Sequence, residues 1–247
     1  MDIMDINEKI VLITGGAVRV GRAIALELAA RGAIICCHYH QSAAAAEELK
    51  KEIENKGGKI RLFRADLEQA KEAEELAEAV WQKTGRIDVL VNNAALFFKT
   101  PFGKVTEAEW DQFFNLNLKS VFFLSQKIGM RMLAQKSGKI INIGDSGAIH
   151  PFPSYIPYSI SKAGVMALTT ALAKALAPYV QVNCINPGPV LMPASFPQAE
   201  KQYAIDQTLL KREGSAYDIA RTVRFLVEDS DYITGACINV DGGRAIR

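Results

Sequence analysis

Apolar residues fall in short runs along this chain. The runs alternate with longer stretches in which apolar positions recur every three to four residues. Lys9-Ile10-Val11-Leu12-Ile13 is a short, β-branched apolar run, the pattern of a strand buried on both faces. After the break at Thr14-Gly15-Gly16, the stretch from Gly21 to Ala29 has helical spacing and ends at Gly32. The same alternation predicts strands near 9–13, 33–38, 59–64, 88–92, 138–143, 180–185 and 236–240. It predicts helices near 20–31, 43–56, 69–84, 106–134, 154–177 and 215–228. Such an order implies a doubly wound parallel sheet with helices on both faces, a Rossmann-like α/β fold. Residues 1–247 read as a single domain, without internal repeats or a low-complexity linker. The least regular stretch is 189–212, where Pro189, Pro193 and Pro197 are interleaved with Leu191, Met192 and Phe196. It reads as a lid over a ligand, or as a proline-broken surface loop.

Ligands of such a sheet bind beyond the carboxyl ends of its strands. Thr14, Asp66, Asn93, Asp145 and Pro187 all stand at or just after predicted strand ends. Strand, glycine turn and helix at residues 9–31 form the context in which backbone N–H groups cradle a phosphate. The glycines are at 15, 16 and 21, and Arg19 occupies the place of an expected middle glycine. The second strand runs into His38-Tyr39-His40-Gln41-Ser42, with no acid before Glu47 to accept from a ribose 2′-hydroxyl. Arg19, the two histidines, the amide and the hydroxyl instead suit a 2′-phosphate, which points to NADP(H). The bland alternative is an ordinary polar loop. Tyr158 and Lys162 are four residues apart in a helical stretch and so share one face. A lysine there is expected to lower the phenol's pKa toward neutrality and make it a proton donor. Tyr-x3-Lys is common by chance, so the pair gains weight only from the rest of the chain.

Composition narrows the partners. Lys and Arg number 29 against 27 Asp and Glu, a net charge of +2, too small for a nucleic-acid-scale basic field. Hydrophobic residues make up 49% of the chain, ample for a large core. Cys36, Cys37, Cys184 and Cys237 fall on predicted buried strands without metal-ligand spacing, and read as reduced packing residues of a cytoplasmic protein. The N-terminus carries Asp2, Asp5 and Glu8 rather than a signal peptide's basic start, and no apolar stretch approaches a membrane span.

Taken in order, these motifs resemble the short-chain dehydrogenase/reductase family over the whole chain. Thr14-Gly15-x3-Arg19-Val20-Gly21 resembles its Thr-Gly-x3-Gly-x-Gly loop, with Arg19 as the departure. Asp66-Leu67 resembles the pair beside the adenine, and Asn92-Asn93-Ala94-Ala95 the Asn-Asn-Ala-Gly segment, with Ala95 for glycine. Asn117 resembles the family's helix-four asparagine, Asn186-Pro187-Gly188 its turn beside the nicotinamide, and Val240-Asp241-Gly242-Gly243 its terminal signature. Asp145 stands where the family usually has serine, with Ser146 beside it. Asp145, Arg19 and His38-Tyr39-His40-x-Ser42 together resemble the pteridine reductase branch, although Gln41 replaces that branch's arginine. Phe97 matches the ring that sandwiches a pterin against the nicotinamide, and Ala95 matches a serine there.

The resemblance implies catalysis by Tyr158, Lys162, Asp145 and Asn117, and substrate contacts from Phe97, Asp145, Tyr158 and Arg19. Implied cofactor contacts are Thr14, Gly15, Arg19, Val20, Gly21, His38 to Ser42, Asp66, Leu67, Asn93 to Ala95, Tyr158, Lys162, Pro187, Gly188 and Val190. It also implies a homotetramer packed through the helices near 106–134 and 154–177, whose apolar residues Val121, Phe122, Phe123, Leu124, Val165, Met166 and Leu168 spread around much of the circumference. Three functions follow: an NADPH-dependent pterin or dihydrofolate reductase, a carbonyl or 3-oxoacyl-thioester reductase, or a non-catalytic NADP(H) sensor. Asp145 is open to two readings at this point, as a substrate-facing proton carrier or as an orienter of Tyr158 with Ser146 in the serine role.

Overall fold

The computed structural model describes residues 4–192 and 196–247. Pro193 of the irregular stretch and Asp2 lie outside those residues. Seven parallel strands form one sheet in the order β3-β2-β1-β4-β5-β6-β7. They are β1 (Ile10–Ile13), β2 (Ile34–Tyr39), β3 (Lys59–Arg64), β4 (Val89–Asn92), β5 (Gly138–Ile143), β6 (Val180–Pro187) and β7 (Cys237–Val240). Every residue of β1, β4 and β5 is buried, which is why these strands read as mainly apolar runs, with Asn92, Lys139 and Asn142 as buried polar exceptions.

Helices cover both faces. Ile24 and Leu28 of α1 (Arg19–Ala29), Leu49 and Ile53 of α2 (Ala43–Asn55), and Ile219 and Val223 of α8 (Ala216–Arg224) share one core cluster. On the other face lie Leu76 and Val80 of α3 (Ala70–Thr84), Ile128 and Met132 of α5 (Ser120–Gln135), and Leu172 and Leu176 of α6 (Ile156–Leu176). The strand order reverses at β1, with β2 and β3 laid down on one side and β4 to β7 on the other, and the crevice above that point is where α/β sheets bind ligands.

Three differences from the sequence expectation bear on the site. The helix expected near 106–134 is α4 (Glu107–Phe114), a π-type turn over Asn115–Lys119, and then α5. The irregular stretch 189–212 contains a helix, α7 (Gln198–Asp206), which has no buried residue and therefore little apolar periodicity to reveal it. The helix expected over 215–228 ends at Arg224 and closes in a second π-type turn, Phe225–Asp229. Cys237 is only partly buried, unlike the other three cysteines. No helix among the described residues is long and apolar enough to cross a membrane. Val121, Leu124 and Val165 are buried within this chain, whereas Phe122 and Met130 of α5 face outward.

Candidate active site

A cavity of about 800 Å³ opens over the carboxyl ends of the strands. Its phosphate-sized end is the β1–α1 turn. Gly15 has φ +60°, and a Cβ on Gly21 would stand 2.2 Å from the Gly15 carbonyl oxygen, so the turn requires glycine at 21. Arg19 also lies in the left-handed region, at φ 53°. The backbone thus does there what the family's glycine does, at a cost of about 1–3 kcal/mol for a residue with a side chain. No side chain caps α1 at Val18 and its first turn carries no acid. Arg19, Val20 and Gly21 line the cavity, so the unpaired N–H groups of this helix end suit an anion such as a pyrophosphate.

Thr14 is buried and does not line the cavity. Its hydroxyl accepts from Asn93 N–H at 2.9 Å and Ala94 N–H at 3.0 Å, tying the end of β1 to the end of β4. The Asn93 amide donates to the Thr14 and Gly15 carbonyls at 2.9 and 3.1 Å, which fixes the turn. His38 differs from expectation. Its Nδ1 accepts from Gly15 N–H at 3.1 Å and its Nε2 donates to the Ala65 carbonyl at 3.1 Å. Burial lowers its pKa to about 4, so it is neutral and has no N–H left for a phosphate. Tyr39 packs into the core beside α1 and, unlike His38, does not line the cavity. His40, Gln41, Ser42, Asp66 and Leu67 do, and they form the end suited to an adenosine with a 2′-phosphate.

At the other end the Tyr158 hydroxyl donates to Asp145 Oδ2 at 2.5 Å, and Asp145 Oδ1 accepts from Gly147 N–H at 2.5 Å. Burial pushes the phenol well above its ordinary pKa, and the Asp145 carboxylate pushes it further up. Burial also raises Asp145 and lowers Lys162. The expectation that Lys162 draws the phenol toward neutrality is not met: the Lys162 ammonium donates to the Ile143 carbonyl at 2.8 Å, and Asp145 is the phenol's hydrogen-bond partner. Ser146 is buried, and its hydroxyl finds no partner among the described residues. It does not line the cavity, whereas Asp145 does.

Asn117 sits in the π-type turn, buried and outside the cavity. It accepts from Leu96 N–H at 2.8 Å and donates to the Leu96 carbonyl at 3.2 Å and to Ser161 Oγ at 3.1 Å. It thereby pins the loop after β4 to α6 beside Lys162. A buried ladder missed by the sequence reading runs behind it: Asn92 donates to Asn142 at 2.8 Å, and Asn142 to Thr169 of α6 at 2.9 Å.

The same loop carries Phe97, 43% exposed, into the cavity mouth. Thr100 N–H donates to the Ser154 carbonyl at 2.8 Å, and this pairing lays Phe97 face to face with Tyr155, centroids 4.9 Å apart and 2° from parallel. Phe97 also meets Tyr158 edge-on at 4.8 Å. Across the mouth Phe196 tilts onto Phe97 at 6.1 Å, and Glu200 of α7 pairs with Lys99 at 2.6 Å. The Arg19 guanidinium donates to the Leu191 carbonyl. Pro187, Gly188 and Val190 line the wall, and a Cβ on Gly188 would stand 2.6 Å from Asp241 Cα. Phe152, Tyr155, Lys99, Glu200 and Arg244 line the cavity without having been singled out in the sequence, where each lies in a loop or helix end that follows no period.

Comparison with known proteins agrees with this geometry. The family model described as short chain dehydrogenase matches residues 9–202. The 3-oxoacyl-[acyl-carrier-protein] reductase of Thermotoga maritima is 35% identical, the match covering 98% of this chain and 100% of that protein. The corresponding reductase of Staphylococcus aureus strain N315 is 37% identical over 95% of this chain and 97% of its own. Among solved structures, alternative dihydrofolate reductase 1 from Brucella canis complexed with NADP has a TM-score of 0.91 and 31% identity, over 98% of this chain and 96% of that one. A blue fluorescent protein from a metagenomic library, in complex with NADPH, has a TM-score of 0.90 and 32% identity, over 98% of this chain and 100% of that one.

Proposed function

The chain belongs to the short-chain dehydrogenase family, and from that premise we propose that it is an NADPH-dependent reductase of a flat pterin or dihydrofolate-type C=N substrate. The observation that carries the substrate class is the Asp145–Tyr158 pair at 2.5 Å, with Asp145 lining the cavity in the position where the family usually has serine. A serine only hydrogen-bonds a substrate oxygen, whereas a half-buried carboxyl with a raised pKa also carries a proton to a ring nitrogen. The parallel Phe97–Tyr155 stack offers a flat ring a face to lie against. Similarity to 3-oxoacyl-[acyl-carrier-protein] reductases favours the second reading, a carbonyl or thioester reductase.

In the proposed mechanism the nicotinamide supplies the hydride. Lys162, on the same helix as Tyr158, would hold its ribose. The Tyr158 phenol stays protonated at neutral pH, which is the state a proton donor needs. Asp145 holds that hydroxyl in place and exchanges a proton with the substrate. Asn117 orients the loop that presents Phe97, and Phe196 and the Lys99–Glu200 pair flank the mouth.

The cofactor assignment follows from the end of β2, where His40, Gln41 and Ser42 line the cavity and the chain has no acid before Glu47, the Asp66 carboxylate at this end coming from the loop after β3. NADPH is expected to bind at least about tenfold more tightly than NADH, since one charge-assisted contact is worth roughly 1.5–3 kcal/mol. Fluorescence titration with each cofactor measures this, and equal or tighter NADH binding refutes it. For the substrate, NADPH oxidation is expected to be faster with a dihydropterin or dihydrofolate than with a short 3-oxoacyl thioester. The reverse order makes the carbonyl reading the better one.

A further inference from the structure

The chain ends in a short turn, Arg244–Ile246, that packs beside the turn Ser146–Ala148 next to Asp145. Asp241 fixes this tail, its carboxylate accepting from Gly243 N–H at 2.9 Å and Ala245 N–H at 2.8 Å. His150 Nε2 adds a contact to the Ala245 carbonyl at 3.0 Å. Arg244 is thereby held on the cavity wall, with its guanidinium over the Phe152 ring, 4.9 Å from the centroid.

Arg19, Lys99, Lys162 and Arg244 are the lysine and arginine side chains on this cavity. Arg19 is engaged by the Leu191 carbonyl, Lys99 by Glu200 and Lys162 by the Ile143 carbonyl. The Arg244 guanidinium has only the ring beneath it among the described residues. A half-buried guanidinium offers five N–H donors in a planar fork, and that fork matches a carboxylate. Arg244 lies close enough to Asp145 for its charge to counter part of the effect of burial on that carboxyl, which places it near the reacting end of the cavity rather than at the cofactor's phosphates.

We propose that Arg244 anchors a carboxylate carried by the substrate, so that the preferred ligand is a flat ring with an acidic tail rather than a tailless, neutral one. This rests on the reductase reading above and narrows it. The ring lies against Phe97 and Tyr155 while the tail reaches the guanidinium over Phe152.

The test is a binding titration, in the presence of NADP⁺, of folate and of 6-methylpterin, which shares the ring and lacks the acidic tail. Wild type is expected to bind folate about tenfold or more tightly than 6-methylpterin, as one charge-assisted contact implies. Arg244→Gln is expected to erase that gap and leave 6-methylpterin binding within about twofold, because surface-exposed charges elsewhere contribute little. Added salt is expected to narrow the wild-type gap, a readout that needs no substitution. A gap that survives Arg244→Gln, is absent in wild type or ignores salt overturns the role of Arg244. Equal loss of both ligands in Arg244→Gln also overturns it. Failure of both ligands to bind wild type instead sinks the flat-ring reading on which it rests.

Discussion

Tyr158→Phe is expected to fold normally, to bind NADPH as wild type does, and to lose about 100- to 10,000-fold in kcat, the contribution of a general acid. The ring's packing survives the change, since its edge-on contacts with Phe97 at 4.8 Å and Phe113 at 6.1 Å involve no oxygen. What disappears is the hydroxyl, whose hydrogen bond goes to Asp145. Asp145 keeps its bond from Gly147 N–H, so the carboxyl remains in place. The loss therefore falls on proton transfer and not on the architecture. A thermal melt, an NADPH titration and steady-state NADPH oxidation separate the three outcomes. Retention of more than about a tenth of wild-type kcat removes Tyr158 as the donor, because a general acid contributes more than that.

The buried parallel strands were legible because a strand covered on both faces must be apolar throughout, as Ile10–Ile13 and Val89–Asn92 nearly are. Glycine at 21 was legible for a steric reason that the turn now displays. Other features leave no periodic trace. The π-type turn that presents Asn117 to Leu96 breaks no hydrophobic pattern, so residues 106–134 read as one helix. Helix α7 buries nothing, and its apolar positions carry no signal. His38 reads as an exposed phosphate donor because composition does not reveal that both its nitrogens are occupied. The relation of Lys162 to Tyr158 was inferred from a shared helix face, but burial and Asp145 outweigh it for the phenol's pKa. Arg244 follows a terminal glycine pair, and only the folded tail brings it to the cavity.

Asp145→Ser is expected to abolish dihydropterin reduction while sparing, or improving, reduction of a small ketone or 3-oxoacyl thioester. Serine restores the family's usual neutral hydrogen-bonding group beside Tyr158, sufficient for a carbonyl oxygen. It removes the half-buried carboxyl that hydrogen-bonds the phenol, and with it the group able to carry a proton to a ring nitrogen. Burial raises the Asp145 pKa, so its proton is held to higher pH than an exposed aspartate would hold it and is lost as pH rises through that raised value. Wild-type pterin reduction is accordingly expected to decline toward alkaline pH. Ketone reduction by Asp145→Ser is expected to lack that carboxyl's limb, leaving a profile set by Tyr158 and Lys162. Steady-state rates for both substrate classes across pH, in wild type and variant, supply the measurement. The loss should be of the general-acid size, about 100-fold or more in kcat/KM for the pterin. If wild type prefers the thioester and the substitution changes neither substrate, Asp145 only steadies Tyr158 and the protein is a carbonyl reductase.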